Sequence, residues 1–343
     1  MHVGVVGATG VVGTEMLRVL EERAFPVDDL RVYASPRSAG RRLAFAGREV
    51  VCETLGDGCF DGLDLVIVDV DDPLALEWVP RAAAAGALVV DNSAAFRMDP
   101  DVPLVVAEVN PQDLAALPKG IVACPNCTTM VLVTAVAPLH QAAGIERLVV
   151  STYQSVSGAG QAGLRELAEQ WTKGAGREDA LRRAGATPGG LEPGEVWPKP
   201  IAGNVIPLAG RLGDGGATSE ETKLVRESRK ILHAPDLAVS VTCVRVPVYV
   251  GHAMSANVAL SRALPRDDAA AVLARAPGIA LVEGGDGAPT PLDAAGIDPV
   301  LVGRLREDPS QARTLDLWVA GDNLRKGAAL NAVQLAERLT ARR

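Results

Sequence analysis

The segment ACPNCTT, residues 123–129, places Cys127 directly before a helical pattern, with Pro125 and Asn126 shaping the turn. A thiol at a helix start faces the positive end of the helix dipole, which lowers its pKa below the free value of about 8.5. Cys127 is therefore a candidate nucleophile, and main-chain amides just after it are candidate oxyanion donors. Cys124 and Cys127 also make a CxxC pair, but no early βαβ strand precedes it, as a thioredoxin-like dithiol requires. A zinc site would need a second ligand pair, and the chain has only four histidines. No metal is expected. Taken alone, the neighbourhood of Cys127 leaves a nucleophile and a buried structural thiol both open.

A second constellation lies at the N-terminus, where GATGVVG puts Gly7, Gly10 and Gly13 between an apolar run (2–6) and a helical pattern (about 10–22). Glycines there let the backbone turn tightly against a dinucleotide pyrophosphate, whose charge the helix N-terminus favours. The spacing is GxxGxxG rather than GxGxxG, and Thr9 adds a hydroxyl. The plain alternative is a turn that needs glycine for packing only. After the second apolar run, YASPRSAGRR offers Ser35, Arg37 and Ser38, a cation with hydroxyl donors suited to a 2′-phosphate, and no carboxylate. NADP is expected over NAD, unless Arg37, Arg41 and Arg42 form only a solvated basic loop.

These groups must be held by a sizeable framework, and 343 residues that are 48% hydrophobic allow one large or two ordinary domains. Apolar runs at 30–34, 63–68 and 87–91, with an alanine-rich helix over 74–85, give a strand and helix alternation that implies a parallel α/β sheet. From residue 128 a helix to 143 leads into a β-branched run (146–156), which belongs to a different sheet. The stretch 173–216 is dense in Gly and Pro and reads as a long irregular excursion, a subunit-contact or lid region. A charged helix over 218–232 has Thr218 or Ser219 as N-cap. Strands follow near 238–248 and 253–261, then a helix near 266–275 and an amphipathic helix over 322–339. Net charge of −8 argues against a nucleic-acid surface. No run of 18 apolar residues and no leader pattern occurs, so a cytoplasmic enzyme acting on a small molecule is expected. Five scattered cysteines do not make a disulfide framework.

GATGVVG, SPRSAG, DNSAAFRMDPDVPLVVAEVN, PNCTT, STYQSVSGAG, EETKLVRESRKIL, VRVPVYVGH and DNLRKGAALNAVQLAE occur in an order and spacing that resemble bacterial aspartate-semialdehyde dehydrogenases over nearly the whole chain. The resemblance implies a Rossmann-like NADP-binding domain (1–126, completed by a C-terminal helix, 322–343) and an α+β mixed-sheet domain (127–321) for catalysis and dimerisation. It implies Cys127 as acyl-thioester nucleophile, His252 as general acid and base, and Gln154 as the residue that orients the acyl group. An imidazole near its unperturbed pKa of about 6.5 suits the proton role. Arg245 and Glu220 are implied for substrate, and Arg97, Asn126 and Lys223 for phosphate. Gly7, Thr9, Gly10, Val11, Val12, Ser35, Arg37, Ser38, Ser157, Gly158 and Asn323 are implied for the cofactor. The implied reaction is reduction of an aspartyl acyl phosphate by a homodimer or dimer of dimers. The rivals are an N-acetyl-glutamyl-phosphate reductase, which shares the cysteine logic, and a non-catalytic NADP-binding sensor.

Three departures stand out. Asp69, Asp71 and Asp72 occupy the end of a strand where the family has a small-residue turn against the cofactor, and a helix-capping role for Asp71 or Asp72 is the favoured reading. Ala253 stands where serine is common after the histidine, and Leu330 replaces a polar residue. Both are expected to remove polar contacts near the implied site.

Overall fold

In the computed structural model, which describes residues 1–182, 191–285 and 287–341, the opening run forms β1 (His2–Val6) and, after the glycine turn, α1 (Val11–Glu22). β2 (Asp29–Tyr33) lies parallel to β1, and a hairpin of β3 (Arg42–Phe45) and β4 (Arg48–Glu53) attaches to β2 through β4. Part of the expected basic loop is thus sheet: Arg42 opens β3 and pairs with Glu49 across the hairpin at 2.7 Å. β5 (Leu65–Val68), α2 (Asp72–Ala84), β6 (Leu88–Asp91) and β7 (Ile121–Ala123) complete a seven-stranded sheet, ordered β3-β4-β2-β1-β5-β6-β7 and parallel apart from the hairpin. Parallel strands are covered on both faces, which is why β5 is an unbroken apolar run with every residue buried. The strand order turns back at β1, so the switch point where open α/β sheets bind ligands lies at the C-terminal ends of β1 and β5.

α3 (Cys127–Ala143) is apolar on all sides and buried throughout 128–137, as a helix without a polar face must be. β8 (Ile145–Gln154) starts the second sheet, and a 3-10 turn (Val156–Ala159) leads to α4 (Gly160–Gly174) and α5 (Glu178–Arg182). The expected irregular stretch therefore contains α5, and its residues 183–190 lie outside the described residues. Leu191, Trp197, Ile201 and Ile206 from it close an apolar cluster with Val156 and Leu167. α6 (Ser219–Ile231) begins as expected at Thr218, whose hydroxyl accepts from the Glu221 amide while the Glu221 carboxylate accepts from the Thr218 amide.

β9 (Ala238–Arg245), β10 (His252–Leu260), α7 (Arg266–Arg275), β11 (Ile279–Leu281), α8 (Pro291–Ala294), β12 (Val300–Glu307) and β13 (Thr314–Gly321) follow. The second sheet runs β11-β12-β13-β10-β8-β9 and is mixed, with β8 and β9 parallel and β10 antiparallel to β8 and β13. A π-helical turn (Arg325–Ala329) leads into α9 (Leu330–Thr340), which packs on α1. The chain divides into two compact units: Met1–Pro138 with Arg226–Asp236 and Leu324–Arg343, and Leu139–Val225 with Leu237–Asn323. The expected divide at 126/127 falls at the start of α3, and residues 127–138 lie in the first unit. Among the described residues no helix is long and apolar enough to cross a membrane, and no group of three or more His, Cys, Asp or Glu side chains could hold a metal ion.

Candidate active site

The glycine turn of the first unit is set by steric necessity. Gly7 has φ +87°, and a Cβ there would stand 2.0 Å from the Asp69 carbonyl oxygen at the end of β5. A Cβ on Gly13 would stand 2.2 Å from the Gly7 carbonyl oxygen, so α1 can meet the turn only through glycine. The N-cap of α1 is Gly10, with no side-chain cap and no acid in the first turn. The amides of Val11, Val12 and Gly13 therefore open the helix without a competing anion, an arrangement that fits a pyrophosphate. Thr9 Oγ1 lies 3.4 Å from Ser38 Oγ, which joins the turn to the 3-10 segment Pro36–Ser38, where Ser35 and Arg37 are exposed.

The acidic residues beyond β5 do not behave as helix caps. Asp71 is at the N-cap of α2 but makes no side-chain cap bond, and Asp72 instead accepts from the Ala94 amide at 2.8 Å. Asp69 accepts from Asn92 Nδ2 at 3.3 Å, and burial, together with the neighbouring Asp91, raises its pKa from 3.8 to about 6.

Cys127 opens α3 and is half-buried, with Sγ 3.9 Å from Thr128 Oγ1. Asn126 caps the helix: its Oδ1 accepts from the Thr128 amide at 2.9 Å and the Thr129 amide at 3.4 Å. Those amides are therefore committed to Asn126, which corrects their expected oxyanion role. The turn is braced from α6 by Glu227, a residue the sequence reading missed. One carboxylate oxygen of Glu227 accepts from the Asn126 amide at 2.7 Å and the other from Arg97 Nη1 at 3.1 Å, with both side chains buried. Arg97 also donates from Nε to the Cys124 carbonyl (2.9 Å) and from Nη2 to the Asn92 carbonyl (2.7 Å). Lys230 Nζ reaches the carbonyls of Arg97, Asp99 and Val102 at 2.8 to 2.9 Å. Helical spacing held the available signal, since Glu227 sits one turn beyond Lys223 in the EETKLVRESRKIL block. Cys124, in contrast, is fully buried, and burial pushes its thiol up to about 12. It is a packing residue rather than half of a redox pair.

In the second unit, sheet topology gathers the residues. Gln154 ends β8, Arg245 ends β9 and the two are register partners; His252 opens antiparallel β10 opposite Gly321, which ends β13. Parallel and antiparallel directions combine to bring all four to one end of the sheet. Gln154 Oε1 accepts from Thr152 Oγ1 at 3.1 Å, and its Nε2 donates to Glu220 Oε2 at 3.4 Å. Lys223 pairs with Glu220 at 3.0 Å along α6. Arg245 Nη1 donates to the Ser155 carbonyl, and a Cβ on Gly158 would lie 3.0 Å from that nitrogen and 3.7 Å from His252 Nε2, so glycine lets the loop approach both.

His252 is fully buried, and the Ser155 amide donates to its Nδ1 at 3.1 Å. Burial, with the adjacent Arg245 charge, pushes its pKa down to about 3. The ring expected to titrate near neutrality is thus neutral in the folded chain. Ser157 and Asn323 lie in the same buried network. Ala253, on the opposite face of β10, packs with Ala294, Leu301 and Ala320, and Leu330 is buried at the start of α9. The surroundings of Ala253 are thus apolar side chains rather than the polar groups of the site, contrary to expectation.

A dinucleotide turn on a parallel sheet and a polar cluster at one end of a mixed sheet define a two-part oxidoreductase, and family models match in the same order. Residues 2–117 match the semialdehyde dehydrogenase NAD binding domain and 136–326 the semialdehyde dehydrogenase dimerisation domain. The aspartate-semialdehyde dehydrogenase of Streptomyces akiyoshiensis is 49% identical, covering 99% of each chain, and that of a Synechocystis species is 44% identical, covering 100% of this chain and 98% of the relative. The crystal structure of aspartate semialdehyde dehydrogenase II from Vibrio cholerae, complexed with ASA, superposes with a TM-score of 0.92 at 42% identity, covering 99% of this chain and 98% of that one. The chain belongs to the aspartate-semialdehyde dehydrogenase family.

Proposed function

We propose that the chain reduces L-aspartyl 4-phosphate to L-aspartate 4-semialdehyde and phosphate, using NADPH and a Cys127 thioester. The observation that carries this reading is full-length similarity to enzymes of that name, combined with a half-buried Cys127 at a braced helix start. The Vibrio relative, described as complexed with ASA, supports the substrate class. The N-acetyl-glutamyl-phosphate reductase and sensor readings gain no support from these relatives.

The Cys127 thiolate attacks the acyl carbon; the carbon–oxygen bond to phosphate breaks and the phosphate leaves with its electron pair. Arg97, Asn126 and Lys223 are assigned to that phosphate, with Arg97 still steadied by Glu227. A reduced nicotinamide dinucleotide, when bound, supplies the hydride that takes the thioester to the aldehyde level. His252 takes the Cys127 thiol proton, passes it to the oxyanion and recovers it on collapse, when the carbon–sulfur bond breaks and the thiolate returns. Gln154 orients the acyl group, while Arg245 and Glu220 hold the α-carboxylate and α-amino ends. Gly7, Thr9, Gly10, Val11 and Val12 hold the pyrophosphate; Ser35, Arg37 and Ser38 hold a 2′-phosphate and select NADP; Ser157, Gly158 and Asn323 lie toward the nicotinamide. Residues 1–126 with the C-terminal helix serve the cofactor, and 127–321 serve catalysis and assembly as a homodimer or dimer of dimers in the cytoplasm.

The test is phosphate-dependent reduction of NADP by aspartate semialdehyde. Cys127→Ala is expected to abolish turnover and leave NADPH binding within about twofold. Turnover by the variant, or no turnover by the unmodified protein, overturns the proposal.

A further inference from the structure

The carboxamide of Gln154 has its orientation fixed at one end by Glu220. Glu220 is ion-paired with Lys223 at 3.0 Å, and such a carboxylate can only accept, so the group that faces it at 3.4 Å is the Gln154 NH2 and not the oxygen. Oε1 therefore points the other way, to Thr152 Oγ1 at 3.1 Å. An amide oxygen cannot donate, which places the single hydroxyl proton of Thr152 on that contact. The hydroxyl in turn accepts from the Val244 amide at 3.2 Å, a backbone donor whose role cannot reverse. Burial pushes the neighbouring Cys243 thiol up to about 12, so it stays protonated and is no anionic rival for the Thr152 proton. The hydrogen bonds thus run in one direction, from β9 through Thr152 and Gln154 of β8 to Glu220 of α6, all within the second unit.

Thr152 and Gln154 are two apart on β8 and project from the same face, and Thr152 is fully buried. Gln154 is buried as well, yet only one of its two N–H groups is used: among the described residues Nε2 donates to Glu220 alone. A buried donor left open is uncommon. We propose that Thr152 is a positioning residue, whose hydroxyl pins Oε1 and so makes Gln154 a hydrogen-bond donor, through the second N–H of Nε2, to the reacting acyl oxygen as negative charge develops on it. The Thr128 and Thr129 amides are held by Asn126, whereas this N–H remains open for that oxygen. Its N–H bond stays intact throughout, because the stabilisation is electrostatic and no proton is transferred. The inference rests on the proposed acyl-orienting role of Gln154, and adds the atom that performs it and the residue that holds that atom in place.

Neutron diffraction from deuterium-exchanged crystals of the unmodified protein distinguishes an ND2 group from an oxygen directly. It is expected to show the Gln154 ND2 facing Glu220 and the Thr152 deuteron directed at Oε1. An ND2 facing Thr152 overturns the proposal whether or not any variant folds, and independently of turnover. Steady-state kinetics with aspartate semialdehyde then test the coupling. Gln154→Ala is expected to lower kcat about 100-fold, the lower end of the loss for one oxyanion donor. Thr152→Val should lower kcat about tenfold with KM within about twofold, the pattern of an interaction made in the transition state, and Thr152→Ser should restore kcat to within about threefold. Added to Gln154→Ala, Thr152→Val should cost less than about twofold more, because its effect passes through Gln154. An equal loss of kcat from Thr152→Val in both backgrounds is the mark of a merely structural role and overturns the proposal while leaving the role of Gln154 standing. A Gln154→Ala variant with unchanged kcat is the different failure, in which the acyl-orienting role falls and takes this inference with it.

Discussion

Glu227→Ala tests whether the nucleophile's turn depends on a buried carboxylate delivered from α6. The Glu227 side chain is 2% exposed and its partner Arg97 9%, so neither charge is relieved by water. Removing one member of a buried pair typically costs about 3–5 kcal/mol, because the other is left uncompensated. Arg97 keeps the carbonyls of Cys124 and Asn92, which places the expected loss at the lower end of that range. The Asn126 amide also loses its acceptor, at about 1–3 kcal/mol, a cost that overlaps the first rather than adding to it. The expected destabilisation is about 3–4 kcal/mol. A double-mutant cycle of Arg97→Met and Glu227→Met in urea unfolding isolates the pair: the double variant should be less destabilised than the sum of those two single changes by about 2 kcal/mol. Alkylation of Cys127 by iodoacetamide in native buffer gives a second readout, with an altered rate in Glu227→Gln because the adjacent buried charge is gone. A loss below about 1 kcal/mol for Glu227→Ala, or additivity within about 0.5 kcal/mol in the cycle, would refute the reasoning.

Two further outcomes follow from the first unit. Asp69 has a folded pKa above its unfolded value, so the folded state holds its proton more tightly and stability falls as pH rises from 3.8 to about 6. That interval corresponds to about 3 kcal/mol at about 1.4 kcal/mol per unit, so Asp69→Asn should stabilise the chain by up to that amount in urea unfolding at pH 7.5 and by nothing near pH 3.5. An equal effect at both pH values sinks the assignment. Gly13→Ala puts a methyl 2.2 Å from the Gly7 carbonyl oxygen, and separating α1 from the turn should weaken NADPH binding by at least tenfold in a fluorescence titration; unchanged affinity would show that the turn does not hold the pyrophosphate.

The sequence alone determined those features whose physics is local. Apolar runs gave β1, β5 and β6; glycines between a strand and a helix gave the phosphate turn; Thr218 or Ser219 as a candidate N-cap gave the start of α6. It also marked Cys127 as a candidate nucleophile by its place at a helix start, and singled out Gln154, Arg245 and His252 through the resemblance rather than through spacing. The hairpin β3–β4 escaped notice because its residues are mostly exposed and carry little apolar periodicity.

Only the tertiary structure decided how each side chain is spent. The first amides of α3 were open to a reacting oxyanion until Asn126 was seen to cap them, and Asp72 was a plausible helix cap until it was found on the Ala94 amide. Glu227 lies 101 residues from Asn126 and 130 from Arg97, and no local pattern couples such positions. The imidazole of His252 left its solution pKa because burial and Arg245 disfavour its charged form, and its Nδ1 is met by an amide 97 residues away. Residue types set which chemistry the chain can perform, whereas desolvation and long-range hydrogen bonds, which exist only after folding, set which atom performs it.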